Sequence, residues 1–200
     1  LNTMKHVALQ EFLADLLAAS DKSEHQWETE VLGSHKFNFG EYENLPHLAK
    51  VEHVFPYVEH CPQIFNLPYA NCLFYTEGGI FLHVKNGMEP GLVEVRMTIY
   101  TEDAERRYIF PIFGIIDYAG GRLKFEPFLD SPPQEESKAL ELLAFLYTLC
   151  ATFLSVLNAS NVTTIENIPS VESDISRLNG TNKRMLVYKT LHIKPGIDAK

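Results

Sequence analysis

Basic residues concentrate near the C-terminal end of an otherwise acidic chain. The 200 residues include 17 Lys and Arg against 26 Asp and Glu, which gives a formal net charge of -9. Five basic side chains lie between residues 177 and 194 with no acidic residue among them: Arg177, Lys183, Arg184, Lys189 and Lys194. Lysine and arginine on a loop bind phosphate or carboxylate groups through charge-assisted hydrogen bonds. These five residues are therefore the predicted partner- or anion-binding site.

The same residues also fit two other interpretations. A solvated turn around Asn179 and Gly180, followed by an edge strand that Lys189 and Lys194 protect against pairing with other chains, needs no ligand at all. Nucleic-acid binding is the other alternative, although stacking on bases requires aromatic side chains and Tyr188 is the only one in the segment. The acidic balance, with a pI near 5.3, argues against a nucleic-acid platform covering the whole surface.

Histidines are the next candidates for chemistry. His83 and His192 lie in predicted strands and either could act as a general base, yet neither has a nucleophile at a recognisable offset. His47, His53 and His60 are spaced by six and seven residues, which does not give the i, i+4 pair of a helical zinc site. The sequence thus predicts no catalytic constellation, no metal site and no cofactor. A hydrolase whose histidine and carboxylate meet only in the folded protein remains an alternative.

Composition and cysteine content indicate an ordinary globular domain. A chain of this length suits one domain and buries enough surface to fold without disulfides or metals. The three cysteines, Cys61, Cys72 and Cys150, follow no CxxC pattern, which favours a reducing compartment. The opening residues are amphipathic and do not resemble a signal peptide, so we expect a cytoplasmic protein.

The positions of these candidates depend on two kinds of element. Helical spacing of apolar residues over 4–19, and a second short pattern over 44–55, predict a helical N-terminal segment, residues 1–66, packed on the main body. From residue 67 the pattern alternates as in strands, and Gly78 with Gly79 suits a tight hairpin turn. The alternation continues to about residue 128 and returns in a last strand near 185–193.

A long apolar segment, residues 139–157, contains a single charge, Glu141. Its length would suffice for a membrane span, since about 20 apolar residues cross a bilayer core. Glu141, Thr148, Thr152 and Ser155 fall on one narrow line of a helix, however, so the segment is better explained as a core helix covering a sheet. The predicted fold class is α+β: an antiparallel β-meander packed on one long buried helix, with N-terminal helices. Residues 67–200 form the main body of this single domain.

The last quarter of the chain resembles uncharacterised proteins of tailed phages and prophages. In those proteins a long apolar helix is followed by an Asn-Val pair with an acidic residue, a basic patch and a Y-x-x-L-x-I strand. The matching residues here are Asn161, Val162, Glu166, Lys183, Arg184, Tyr188, Leu191 and Ile193. The resemblance implies origin and fold rather than an activity.

The sequence therefore predicts a non-catalytic, phage-type accessory or regulatory protein that binds a macromolecular partner through charged surfaces. The predominantly acidic first 60 residues and the basic C-terminal segment could each attract an oppositely charged surface. A protein is the expected partner in a bacterial host cytoplasm, nucleic acid and self-association are further partners considered, and no membrane partner is expected.

Overall fold

The computed structural model describes residues 9, 12–14, 16, 26–41, 60, 62–77, 79–99, 112–117, 124–129, 136–158, 162–167 and 187–193. Within them the chain has an α+β fold, as predicted. The elements, in chain order, are α1 (Gln26–Leu32), β1 (His35–Asn38), a 3-10 helix (Pro62–Phe65), β2 (Asn71–Tyr75), β3 (Ile80–Asn86), β4 (Leu92–Ile99), β5 (Ile112–Asp117), β6 (Lys124–Leu129), α2 (Glu136–Leu157), β7 (Val162–Asn167) and β8 (Tyr188–Ile193).

The strands described by the structure form one sheet in the order β6-β5-β4-β3-β2-β1-β8-β7. From β2 to β6, consecutive strands pair antiparallel, as the alternating sequence pattern predicts. The turn between β2 and β3 contains Gly79 with φ of 83°, a left-handed conformation that glycine adopts without a steric penalty. In this part of the sheet, strands that are consecutive in the chain thus lie side by side.

The sheet is mixed, whereas a purely antiparallel one was predicted. β1 pairs parallel with both β2 and β8 and lies inside the sheet, although it falls in the 1–66 segment that was predicted to be helical. Three of its four residues are buried, so the period-two alternation that reveals a half-buried strand is missing. The second predicted helix, over 44–55, lies outside the described residues.

The last strand is also placed differently from the prediction. β8 lies between β1 and β7, so Lys189 is not on an edge strand and does not protect one. The edge of the described sheet is formed by β7, a strand that was not predicted from the sequence. Four of its six residues are exposed, and it therefore has no buried face to reveal it in the sequence.

One face of the sheet packs on α2. From Phe145 onward, where its side chains are described, the helix buries most of them: Leu146, Tyr147, Leu149, Cys150, Ala151, Thr152, Phe153, Leu154 and Val156. Phe74 of β2 contacts Phe153 at a centroid distance of 6.0 Å. None of the described helices combines the length and the apolarity that crossing a bilayer would require.

The opposite face packs on N-terminal helical residues and on α1. Leu9, Phe12, Leu13 and Leu16 are helical and buried, in agreement with the helix predicted there. Phe12 stacks on Phe81 of β3 at 4.1 Å between ring centroids. Because both faces of the sheet are covered, its central strands are buried on both sides.

Candidate functional site

Lys189 is the one predicted binding residue whose position the structure describes. It lies in β8 and is paired with Phe37 of β1. Arg177, Lys183, Arg184 and Lys194 lie outside the described residues.

Aromatic side chains from two other parts of the chain surround Lys189. Its Nζ donates a hydrogen bond to the hydroxyl oxygen of Tyr69 and lies 4.5 Å from the centroid of the same ring. The ring of Phe37 is 5.8 Å from Nζ. His35 stacks on Tyr69 with centroids 3.7 Å apart and ring planes 10° apart. We call these four residues, His35, Phe37, Tyr69 and Lys189, the Tyr69 surface.

The Tyr69 surface combines a buried residue with solvent-exposed ones. Phe37 is 2% exposed and belongs to the core under α2, whereas Tyr69 is 36% exposed and His35 is exposed. A cation over an aromatic ring is attracted by the negative face of the ring, and stacked rings hold each other in place. These contacts fix the orientation of Tyr69 although part of its ring remains open to solvent.

The charge of this surface comes mainly from Lys189. Partial burial lowers the pKa of His35 below 6.5, and Lys189 and Lys36 lower it further, while Glu166 opposes the shift. His35 is therefore mostly neutral at pH 7. Glu166 of β7 is the cross-strand neighbour of Lys189, so an acidic and a basic residue lie side by side at this end of the sheet.

Lys189 was predicted from the sequence as a binding residue, whereas its aromatic neighbours were not. Tyr69 and Lys189 are 120 positions apart, and His35 belongs to the strand that the sequence did not reveal. Tyr188, the aromatic residue noted in the basic segment, lies in the core on the opposite face. The parallel pairing of β1 with β8 places Phe37 beside Lys189.

A second polar cluster lies between α1 and the sheet, around His83. Nε2 of His83 is 2.6 Å from Oδ1 of Asn71, and Nδ2 of Asn71 donates to the carbonyl oxygen of Glu30 at 2.7 Å. Since Nδ2 is the donor in the second bond, Oδ1 must accept in the first, and His83 carries its proton on Nε2. Lys85 forms ion pairs with Glu30 at 2.7 Å and with Glu94 at 3.2 Å.

Burial determines the protonation state of His83. The side chain is 5% exposed. Burial lowers its pKa to about 3, and the positive charges of Lys85, Arg96 and Lys36 act in the same direction. A histidine with so low a pKa is a weak base at neutral pH. Its hydrogen-bond partner is an amide rather than the carboxylate that the hydrolase alternative requires, and His192, the other candidate, is exposed in β8.

The two described cysteine thiols are poor nucleophiles. Cys72 and Cys150 are both free and buried. Burial raises the pKa of Cys72 to about 12 and raises that of Cys150 as well. Because the thiolate is the reactive form, both side chains act as small core residues at neutral pH.

Lys36 of β1 is buried beneath α1. It is 2% exposed, and its Nζ donates to the carbonyl oxygens of Leu32 and Ser34, each at 2.9 Å. These carbonyls lie at the C-terminal end of α1, where a cation is favoured. Burial nevertheless lowers the pKa of Lys36 to about 8.

Raising the pH should stabilise the protein through Lys36. In the unfolded chain this lysine has a pKa of 10.5, so between pH 8 and 10.5 the unfolded state binds more protons than the folded state. The free energy of unfolding should therefore rise with pH in this window, by about 2 kcal/mol between pH 7 and pH 9.5 from this residue. The measurement is denaturant unfolding of the wild type and of Lys36→Met at both pH values. An equal change in the two proteins would contradict the assignment.

Neither the surface depression nor the acidic residues of the described part of the chain form a catalytic site with the candidate histidines. A surface depression of about 450 Å³ lies between the end of the 3-10 helix and the β3–β4 loop, and it is lined by Asn66, Leu67 and residues 86–91. Neither His83 nor His192 lines it. Among the residues with described positions, no three His, Cys, Asp or Glu side chains come together as metal ligands would.

Comparison of the chain with protein-family models, curated proteins and solved structures gives no match. The chemistry of the Tyr69 surface and of the His83 cluster is therefore what bears on function.

Proposed function

We propose that this is a non-catalytic accessory protein that binds a protein partner through the Tyr69 surface. The observation that carries the proposal is the partly exposed Tyr69 ring, which stacks on His35 and accepts a hydrogen bond from Lys189. Rigid, partly exposed aromatic side chains are enriched among the residues that dominate protein–protein binding. A ring that is already fixed loses little conformational entropy when a partner covers it.

The chemistry of the surface suggests the kind of partner group that it binds. Lys189 contributes a positive charge next to an apolar ring, which matches a segment that presents a carboxylate beside an apolar or aromatic side chain. Arg177, Lys183, Arg184 and Lys194 precede and follow β8 in the sequence, and we retain them as predicted binding residues for the same partner. Following the resemblance of the C-terminal quarter, we propose a phage-type origin and a role in the cytoplasm of a bacterial host.

The proposal includes the finer architecture of the domain. We propose that α2 is the long buried helix on which the antiparallel strands pack, and that it supports the Tyr69 surface through Phe37. The contacts of Phe74 with both Phe37 and Phe153 support this arrangement, because they connect the helix to the strand that carries the surface.

Substitution of Tyr69 should weaken binding of the partner protein. Tagged wild-type protein and the variants Tyr69→Ala and Lys189→Ala are incubated with bacterial lysate, and the retained proteins are quantified by mass spectrometry. We expect at least a tenfold loss of the specific partner from Tyr69→Ala, the effect of removing about 1.4 kcal/mol of binding free energy. Lys189→Ala should have a smaller effect, since its charge is partly exposed.

The matched control is Met88→Ala. Met88 is 97% exposed in the β3–β4 loop, so its substitution alters exposed apolar surface elsewhere on the protein. Thermal unfolding of each variant establishes that the fold is retained. Equal retention of the same proteins by the wild type, both surface variants and the control would refute the proposed site.

Single-stranded nucleic acid is the second candidate ligand for this surface. The specific observation is that Tyr69 and His35 supply, beside Lys189, aromatic rings of the kind that stack on bases. When an oligonucleotide binds through its phosphates, the logarithm of the binding constant falls linearly with the logarithm of the salt concentration. Fluorescence anisotropy over a salt series tests this, and an affinity that does not change with salt would exclude a phosphate-driven mode.

A further inference from the structure

The edge strand β7 has few of the features that normally keep sheet edges from pairing, and Glu166 is its one charged residue. It is the last strand of the described sheet and pairs on one side, with β8, through all six residues without a bulge. Its first four residues, Val162 to Ile165, are β-branched, and its sequence VTTIEN contains no proline, lysine or arginine. Monomeric proteins usually protect such edges with charged residues, proline, bulges or short strands.

The other edge of the sheet shows this protection. β6 has the sequence KFEPFL, with Pro127 in its middle and Lys124 at its start. Proline has no N–H to donate to a further strand, so it limits pairing at that edge. The difference between the two ends of one sheet indicates that β7 is an edge at which pairing is tolerated.

The exposed side chains of β7 point to the same conclusion. Thr163, Thr164, Ile165 and Glu166 are all exposed, and Ile165 is a large apolar residue with 55% of its surface accessible. Among the described residues, no strand pairs with the outer side of β7, and its central apolar side chain is exposed.

We propose that β7 pairs antiparallel with β7 of a second copy of this chain, around a two-fold axis at Ile165. Residues facing each other across an antiparallel pair lie on the same face of the sheet. With the axis at Ile165, this residue faces Ile165 of the second copy, Thr164 faces Glu166 of the second copy, and Thr163 faces Asn167 of the second copy. The two sheets become one continuous sheet.

Self-complementarity is the reason for choosing a second copy as the occupant. In this register Glu166, the one charged residue of β7, faces a threonine and not another Glu166. The two exposed isoleucines bury each other, and β-branched cross-strand pairs stabilise antiparallel sheets. Lys189 lies beside Glu166 on the neighbouring strand and offsets its charge locally, so two acidic chains can approach at this edge.

The test is the mass of the protein in solution, measured by sedimentation equilibrium or by light scattering after size exclusion. The wild type should have twice the 22.8 kDa mass of one chain. Ile165→Lys places two ammonium groups at the two-fold axis and should weaken dimerisation at least tenfold. A wild type that is monomeric at every concentration, or a dimer that Ile165→Lys leaves unchanged, would overturn the proposal.

Oppositely charged substitutions of Ile165 provide a second test of the pairing. Ile165→Glu should also dissociate the dimer, and a mixture of the Ile165→Lys and Ile165→Glu chains should associate again, because opposite charges then meet at the axis. Met88→Lys is the matched control, since it introduces the same charge at an exposed apolar residue far from β7 in the sequence and should leave the mass unchanged. Failure of the mixture to associate, with both chains folded by circular dichroism, would contradict pairing at Ile165. None of these measurements involves the Tyr69 surface, so their outcome is independent of the proposed partner binding.

Discussion

Replacing Phe74 by alanine is expected to lower the free energy of unfolding by about 3–5 kcal/mol, the range found when large buried aromatic residues are truncated. Phe74 is completely buried. Its ring centroid lies 5.6 Å from that of Phe37, 5.5 Å from Phe39 and 6.0 Å from Phe153. The alanine variant therefore loses contacts with β1, with the residue after it and with α2 at the same time, and leaves a cavity that these rings cannot all fill.

Urea unfolding followed by circular dichroism measures the effect. Met88→Ala is the control, because a residue that is 97% exposed should change stability by less than about 0.5 kcal/mol. A loss below about 1 kcal/mol for Phe74→Ala would mean that α2 does not close the core over β2. The same experiment therefore tests the packing that supports the Tyr69 surface.

Acid should destabilise the protein strongly through His83. Its pKa is about 3 in the folded protein and 6.5 in the unfolded chain, so below pH 6.5 the unfolded state binds a proton that the folded state does not. The stabilisation is complete above pH 6.5 and is lost as the pH falls towards 3. At pH 4.5 this residue alone should have removed about 3 kcal/mol from the free energy of unfolding.

The comparison uses the wild type and His83→Gln at pH 7 and pH 4.5. Glutamine keeps an N–H that can donate to Asn71 but does not titrate, so the difference between the two proteins isolates the contribution of the histidine. We expect the wild type to lose about 3 kcal/mol more than the variant between these pH values. Parallel losses would show that His83 is not buried in its neutral form.

The alternating strands show how far local sequence pattern predicts this fold. In LVEVRMTI, alternation predicts Val93, Val95, Met97 and Ile99 on one face, and the first three, whose side chains are described, are buried in the core under α2. Thr98, on the predicted polar face, is buried as well. Alternation correctly identified the strand and its apolar face, but it could not show that the opposite face would also be covered.

The candidate site was predictable only in part. A run of basic residues is visible in any sequence, and Lys189 was found in this way. Its aromatic neighbours could not be predicted, because no sequence pattern connects Tyr69 or His35 with β8. The same holds for the histidines: the sequence singled out His83 as a candidate base, and only its surroundings lower its pKa.

By itself the sequence determined the α+β class, the succession of antiparallel strands and the long apolar helix that ends near residue 157, because these follow from backbone periodicity and turn chemistry within short stretches. The tertiary structure decided the order of the strands, the insertion of β1 between β2 and β8, and the exposure of β7. Parallel pairing joins residues far apart in the chain and has no local signature, since its stability comes from burial and hydrogen bonds that exist only once the sheet is assembled. The Tyr69 surface and the β7 edge both depend on that long-range arrangement.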